Sequence, residues 1–138
     1  MTHDLSAKTD ADAGIYRGRS IARRLLSPDG FIVLVGRTAA DNDLLSFKLG
    51  APADFWFHVS GFSGSHVIVR NPDNLDRLPR ETVQFAAALA ARYSKARDAG
   101  RVVVHACQCR DVRKPRGVPE GTVTLTRYDT LRVTPHRE

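Results

Sequence analysis

One stretch constrains the fold more than any other: residues 54–70, DFWFHVSGFSGSHVIVR. Two short runs rich in Val, Ile and aromatic residues flank a loop containing Gly61 and Gly64, which is the pattern of two strands and a tight connection. Successive side chains on a strand point to opposite faces. Phe55, Phe57 and Val59 therefore share one face with Val67 and Val69, the natural core side. Asp54, Trp56, His58, His66, Ile68 and Arg70 take the other. If the two strands pair as a hairpin, that second face gathers a carboxylate, an indole, two imidazoles and a guanidinium.

The rest of the chain supplies partners for this hairpin. Its 138 residues suit one domain with one core. The longest apolar run, residues 31–35, is far too short to cross a bilayer. Residues 21–26 and 31–35 read as strands around the turn Ser27, Pro28, Asp29 and Gly30. ADNDLLSFKLG reads as a short helix capped by Asp41 or Asn42 and stopped by Gly50 and Pro52. The longest periodic segment, LPRETVQFAAALAARYSKARDAG, predicts a helix from Pro79 to Gly100 with Arg92, Lys95 and Arg97 in its last turn. A strand over RVVVHACQCRDV, a loop over RKPRGVPEG and a hairpin turning at Tyr128 and Asp129 complete the chain. The expected class is α+β, a single domain with one long and one short helix packed on a mixed sheet. Residues 1–13 are expected to be a flexible leader, 14–135 the domain and 136–138 a tail. No secretion-signal pattern opens the chain, and Cys107 and Cys109 are too few for a disulfide framework. The expected location is the cytoplasm.

Net charge is +6, and its placement says more than its sum. Arg17, Arg19, Arg23 and Arg24 form one basic segment. Arg110, Arg113, Lys114 and Arg116 form another, opposed only by Asp111. Either is a solvated surface or a footprint for phosphate.

Three chemistries could use the polar face of residues 54–70. A hydrolytic triad could be drawn from Ser63 or Ser65, His58 or His66, and Asp54. Its nucleophile would lack the strand-to-helix elbow and oxyanion hole that such sites use. A metal site could use His58, His66 and Asp54, or His105, Cys107 and Cys109. Ligands at i and i+2 on a flat strand diverge from one centre, and no second pair completes a tetrahedron. Buried thiols are the plainer reading of the cysteines. RNA recognition would use the aromatic and Arg planes for bases and the Gly/Ser turn for phosphate. For Trp56, a roof over the core competes with a role as a base-stacking ring.

The blocks SPDGFIVLVGRTAADND, DFWFHVSGFSGSHVIVR, AAALAARYSKAR and DVRKPRGVPEGTV resemble, in order, the NFACT-R domain. That is the RNA-binding domain at the C-terminus of ribosome quality control factors. The family pattern D-x-W-F-H followed by G-S-H-V-x-x-R falls on Asp54, Trp56, Phe57, His58, Gly64, Ser65, His66, Val67 and Arg70. The resemblance implies an RNA-binding surface carried by Arg37, Asn42, Asp54, Trp56, His58, Gly64, Ser65, His66, Arg70, Ser94, Lys95, Arg97 and Lys114. It implies tRNA or ribosomal RNA, including the large ribosomal subunit, as partner, with no cofactor, no metal and no reaction. The alternative is an enzyme acting on RNA or a nucleotide with His58 and His66 as acid and base. Two positions depart from the family: Thr38 stands where Asn is typical and Asp41 where Gln is typical, and Asp41 would repel phosphate. The large members carry further domains that do not fit in 138 residues, so the expected form is the free-standing domain.

Overall fold

Six strands pair into one sheet in the computed structural model, which describes residues 9–136. The chain opens with a turn and a small hairpin, β1 (Ile15–Tyr16) and β2 (Arg19–Ser20). The main sheet then takes β3 (Ala22–Leu26) and β4 (Ile32–Gly36), joined by the expected Ser-Pro-Asp-Gly turn, in which the Gly30 amide donates to the Ser27 carbonyl at 2.9 Å. It continues with β5 (Phe55–Val59), β6 (Val67–Val69) and β7 (Val102–Gln108). Strands β8 (Val112–Arg113) and β9 (Thr124–Leu125) form a separate two-stranded arm, and β10 (Asp129–Val133) closes the main sheet. The order is β10-β7-β5-β6-β4-β3, and every neighbouring pair is antiparallel. The α+β class is as expected, with a sheet more regular than the mixed one the sequence led us to expect.

Strands β5 and β6 do pair as a hairpin, with Phe55 opposite Val69 and Phe57 opposite Val67. The alternation holds, but its second face is not a solvent-facing one. Phe57, Val59, Val67, Val69, Val33 and Val35 pack against the long helix, while Trp56, Ile68, Leu34 and Leu45 form a second core on the other side. A sheet buried on both faces explains why β4 and β6 read as unbroken apolar runs. Truncating Phe57 or Leu34, 1% and 0% exposed, to Ala would cost about 3 kcal/mol.

The long helix, α2 (Arg80–Arg92), is shorter than expected. Its small buried residues, Ala86, Ala87, Ala90 and Ala91, let it lie close on the sheet. It stops at Tyr93 because Ser94 turns its side chain inward: Oγ donates to the Ala91 carbonyl at 2.7 Å and accepts from the Ala96 amide at 3.0 Å. This side-chain bonding competes with continuing the helical ladder. The short helix, α1 (Ala39–Leu44), runs on into a π-turn over Leu45–Leu49. Its cap is Thr38, whose Oγ1 accepts from the Asp41 amide at 3.0 Å, and not Asp41 or Asn42.

The last expected hairpin does not form either. β9 pairs with β8 in the arm, and β10 crosses to the edge of the main sheet beside β7, placing Leu131 and Val133 toward the helix-side core. Residues 9–13 of the expected flexible leader form hydrogen-bonded turns, and Asp12 pairs with Arg70 at 3.2 Å. Residues 1–8 and 137–138 lie outside the described residues.

Candidate nucleic-acid interface

At one end of the sheet a cleft of about 820 Å³ opens between five segments of the chain. Arg37 and Asn42 come from the β4-to-α1 corner, His58 from the end of β5, and Gly64 and Ser65 from the glycine-rich turn. Ser94, Lys95 and Arg97 follow α2, and residues 120–123 of the arm close the far wall. Eight of the thirteen residues predicted for RNA contact thus meet in one place.

Backbone pairing holds the turn and the segment after α2 together. The Ser65 amide donates to the Tyr93 carbonyl and the Lys95 amide to the Ser63 carbonyl, each at 2.9 Å, a short antiparallel bridge centred on Gly64 and Ser94. The close approach requires glycine: a Cβ on Gly64 would lie 2.6 Å from that of Ser94. Because α2 ends early, Lys95 and Arg97 project from this bridged loop and not from a helix. Among the described residues they make no ion pair.

Behind the cleft runs a hydrogen-bonded chain whose direction can be read from its end. The Gly121 carbonyl can only accept, so His66, 3.1 Å away, must donate from Nε2. Its Nδ1 is then an acceptor, and the Ser46 hydroxyl donates to it at 2.7 Å. Ser46 in turn accepts from Trp56 Nε1 at 2.9 Å. His66 is a neutral, fully buried imidazole, and burial together with the neighbouring His58 pushes its pKa down to about 4. Burial also lowers His58, partly offset by its hydrogen bond to the Gly64 backbone. The two rings meet edge-on at 5.3 Å. Trp56 is 1% exposed, so its ring faces are closed to a base.

Asp54 and Arg70 lie at the opposite end of β5 and β6. Arg70 Nη1 donates to Asp54 at 2.8 Å, and the second Asp54 oxygen accepts from the Asn71 amide at 2.8 Å. The pair ties strand ends together and does not line the cleft. Lys114 lies within the arm, in the connection from β8 to β9, bonded to Asp43 at 3.1 Å and to the Pro119 and Thr122 carbonyls. Asp43 also accepts from the Gly121 amide at 3.1 Å, so one carboxylate positions the arm from two sides. Asn42 bonds the Gly64 carbonyl and the His66 amide.

Neither drawn active site is assembled. Ser65 donates its hydroxyl to the Gly36 carbonyl at 2.8 Å, Asp54 is engaged elsewhere, and both His66 nitrogens are committed. An acid/base pair of His58 and His66 therefore has no free proton or lone pair on His66. Among the described residues no group of three or more His, Cys, Asp or Glu could hold a metal. Burial raises the Cys107 thiol to about 12 and raises Cys109 as well, as expected for inert thiols.

The cleft carries four cations, Arg37, Arg92, Lys95 and Arg97, against one acid, Glu120. Asp41, expected to repel phosphate, is 2% exposed and paired with Arg19 at 3.0 Å. Arg23 stacks over the Tyr93 ring at 5.5 Å beside the cleft, whereas Arg110 lines a groove with Phe55 and Phe57 on the helix side. Sequence reasoning missed Phe62 and Glu120 as cleft residues. An aromatic residue inside a turn of Gly and Ser was a usable signal for Phe62; nothing local marked Glu120.

The family profile described as the NFACT protein RNA binding domain matches residues 22–127. The chain belongs to this family. The NFACT RNA-binding domain described here is 42% identical over 119 residues to the Rqc2 homolog RqcH of Streptococcus suis, covering 85% of this chain and 21% of that protein. It is 36% identical over 109 residues to the ribosome quality control complex subunit 2 of Schizosaccharomyces pombe, covering 75% of this chain and 11% of that protein. The C-terminal structure of the fibronectin/fibrinogen-binding protein from Streptococcus suis superposes with a TM-score of 0.78 at 41% identity, over 88% of this chain and 48% of that one. The domain therefore spans about a fifth or less of these curated relatives. No helix among the described residues is long and apolar enough to cross a membrane.

Proposed function

We propose that this NFACT RNA-binding domain holds RNA in the cleft between the glycine-rich turn and the arm, and that it does so by binding without reaction. The observation that carries this is the convergence of Arg37, Lys95 and Arg97 on a cleft whose walls are fixed by a backbone bridge and by the buried hydrogen bonds of His66. Mobile surface cations lose side-chain freedom when they meet a phosphate, while a fixed wall lowers that cost. On this reading His66, Trp56 and Asn42 shape the site, Lys114 positions its arm, and the cations touch phosphate. The partner is tRNA or ribosomal RNA, and the relative named as a ribosome quality control complex subunit favours a place on the large ribosomal subunit in translation quality control.

Fluorescence anisotropy with labelled tRNA tests this directly. Affinity should fall steeply with salt, and the double variant Lys95→Gln, Arg97→Gln should reduce the slope of log K against log salt by about 1.5 for two lost contacts. An unchanged affinity and slope would overturn the reading. Crosslinking in cells followed by sequencing of the attached RNA identifies the partner; recovery of neither tRNA nor ribosomal RNA counts against it.

A further inference from the structure

Phe62 is 51% exposed at the tip of the glycine-rich turn. Among the described residues two other large apolar side chains are comparably exposed, Leu26 and Tyr128, but Tyr128 stacks on His105 at 4.2 Å and neither lines the cation cleft. Among the exposed large apolar side chains of the described residues, Phe62 alone lines the cation cleft. The base of its turn is clamped by the Ser63, Gly64 and Ser65 backbone pairing to residues 93–95. Its tip stands free, with Gly61 in the left-handed region at φ +81° and open space where a Cβ would be. The ring is thus held out over the cleft by a rigid stem and is not folded into either core.

We propose that Phe62 is a stacking platform for an unpaired base, so that the cleft takes single-stranded RNA and not a duplex; this rests on the RNA-binding reading above. The phenyl face supplies a sequence-tolerant surface for one base. Lys95, Arg97 and Arg37 lie along the same cleft to meet the phosphates of that nucleotide and its neighbours. Bases in an A-form duplex have both faces covered by stacked neighbours, so a duplex can offer this site only phosphate. Trp56, the ring that the sequence offers first as a stacking group, is enclosed, and Phe62 occupies the role at the surface instead.

The test is anisotropy with a labelled 12-nucleotide RNA, single-stranded or annealed to its complement, at one fixed salt concentration. The single strand should bind at least about tenfold more tightly than the duplex. Phe62→Ala and Phe62→Leu should each lose about tenfold on the single strand, the usual scale for one base on one ring, with duplex affinity unchanged. Phe62→Tyr should retain binding. Phe62→Ala should leave the salt slope unaltered, whereas Lys95→Gln, Arg97→Gln should lower it. Equal binding of single strand and duplex, or a Phe62→Leu variant that binds like wild type, overturns the stacking role alone while the cation variant still responds. Insensitivity to the cation variant overturns the RNA-binding reading itself. Because Phe62 is exposed, circular dichroism of each variant should match wild type.

Discussion

His66 donates from Nε2 to the Gly121 carbonyl and accepts at Nδ1 from Ser46, so a second ring proton has to displace the Ser46 hydroxyl hydrogen. The folded pKa of about 4 lies below the ordinary imidazole value of about 6.5, so between these pH values the unfolded chain binds a proton that the folded chain does not. Stability is therefore complete above about pH 6.5 and falls as pH drops toward 4, by about 3 kcal/mol for this residue. His58, lowered in the same direction, adds to the loss. Urea unfolding at pH 7 and pH 5 should show the drop, and His66→Gln should show less of it. Gly64 offers a second check at this scale. Gly64→Ala should cost about 1–3 kcal/mol in urea unfolding, because its Cβ would meet that of Ser94 at 2.6 Å. The alternation of residues 54–70 was legible because period two survives any tertiary context. That both of its faces are interior was not, since α1 and its π-turn cover Trp56 and Ile68 from a separate part of the chain.

At the scale of elements, the end of α2 decides where the cations go. Helical periodicity continues through Ala96, and no Gly or Pro interrupts it before Gly100. The stop comes from the Ser94 side chain and from backbone pairing with a turn thirty residues earlier, which local pattern does not reveal. Ser94→Ala should lower stability by about 1 kcal/mol and speed amide exchange at Ala96, leaving the middle of α2 protected. Hydrogen exchange measured by NMR separates these regions. The same limit applies to β10, whose partner β7 is distant in sequence, while the hairpin of β3 and β4 was legible because its turn chemistry is local.

For the whole molecule, charge placement outweighs net charge. The sum of +6 includes arginines whose groups already serve the protein: Arg19 on Asp41, Arg70 on Asp54 and Asp12, Arg110 on Gln108. Glu120 is the acid in the cleft, exposed on its arm wall. Glu120→Gln should therefore strengthen RNA binding about twofold at low salt, with the gain fading as salt rises. Anisotropy titrations at two salt concentrations check it.

The cleft draws on residues as far apart in the sequence as Arg37 and Val123, and its arm wall comes last. Timing follows from that arrangement. While the chain is being synthesised, Arg37, Lys95 and Arg97 emerge before the segment whose Gly121 accepts from His66, so the nascent chain exposes loose cations but no finished groove. On the proposed reading, the groove can hold RNA only after the arm has left the ribosome and docked. A chain broken before residue 120 would keep its net charge and lose both the arm wall and the β10 edge of the sheet.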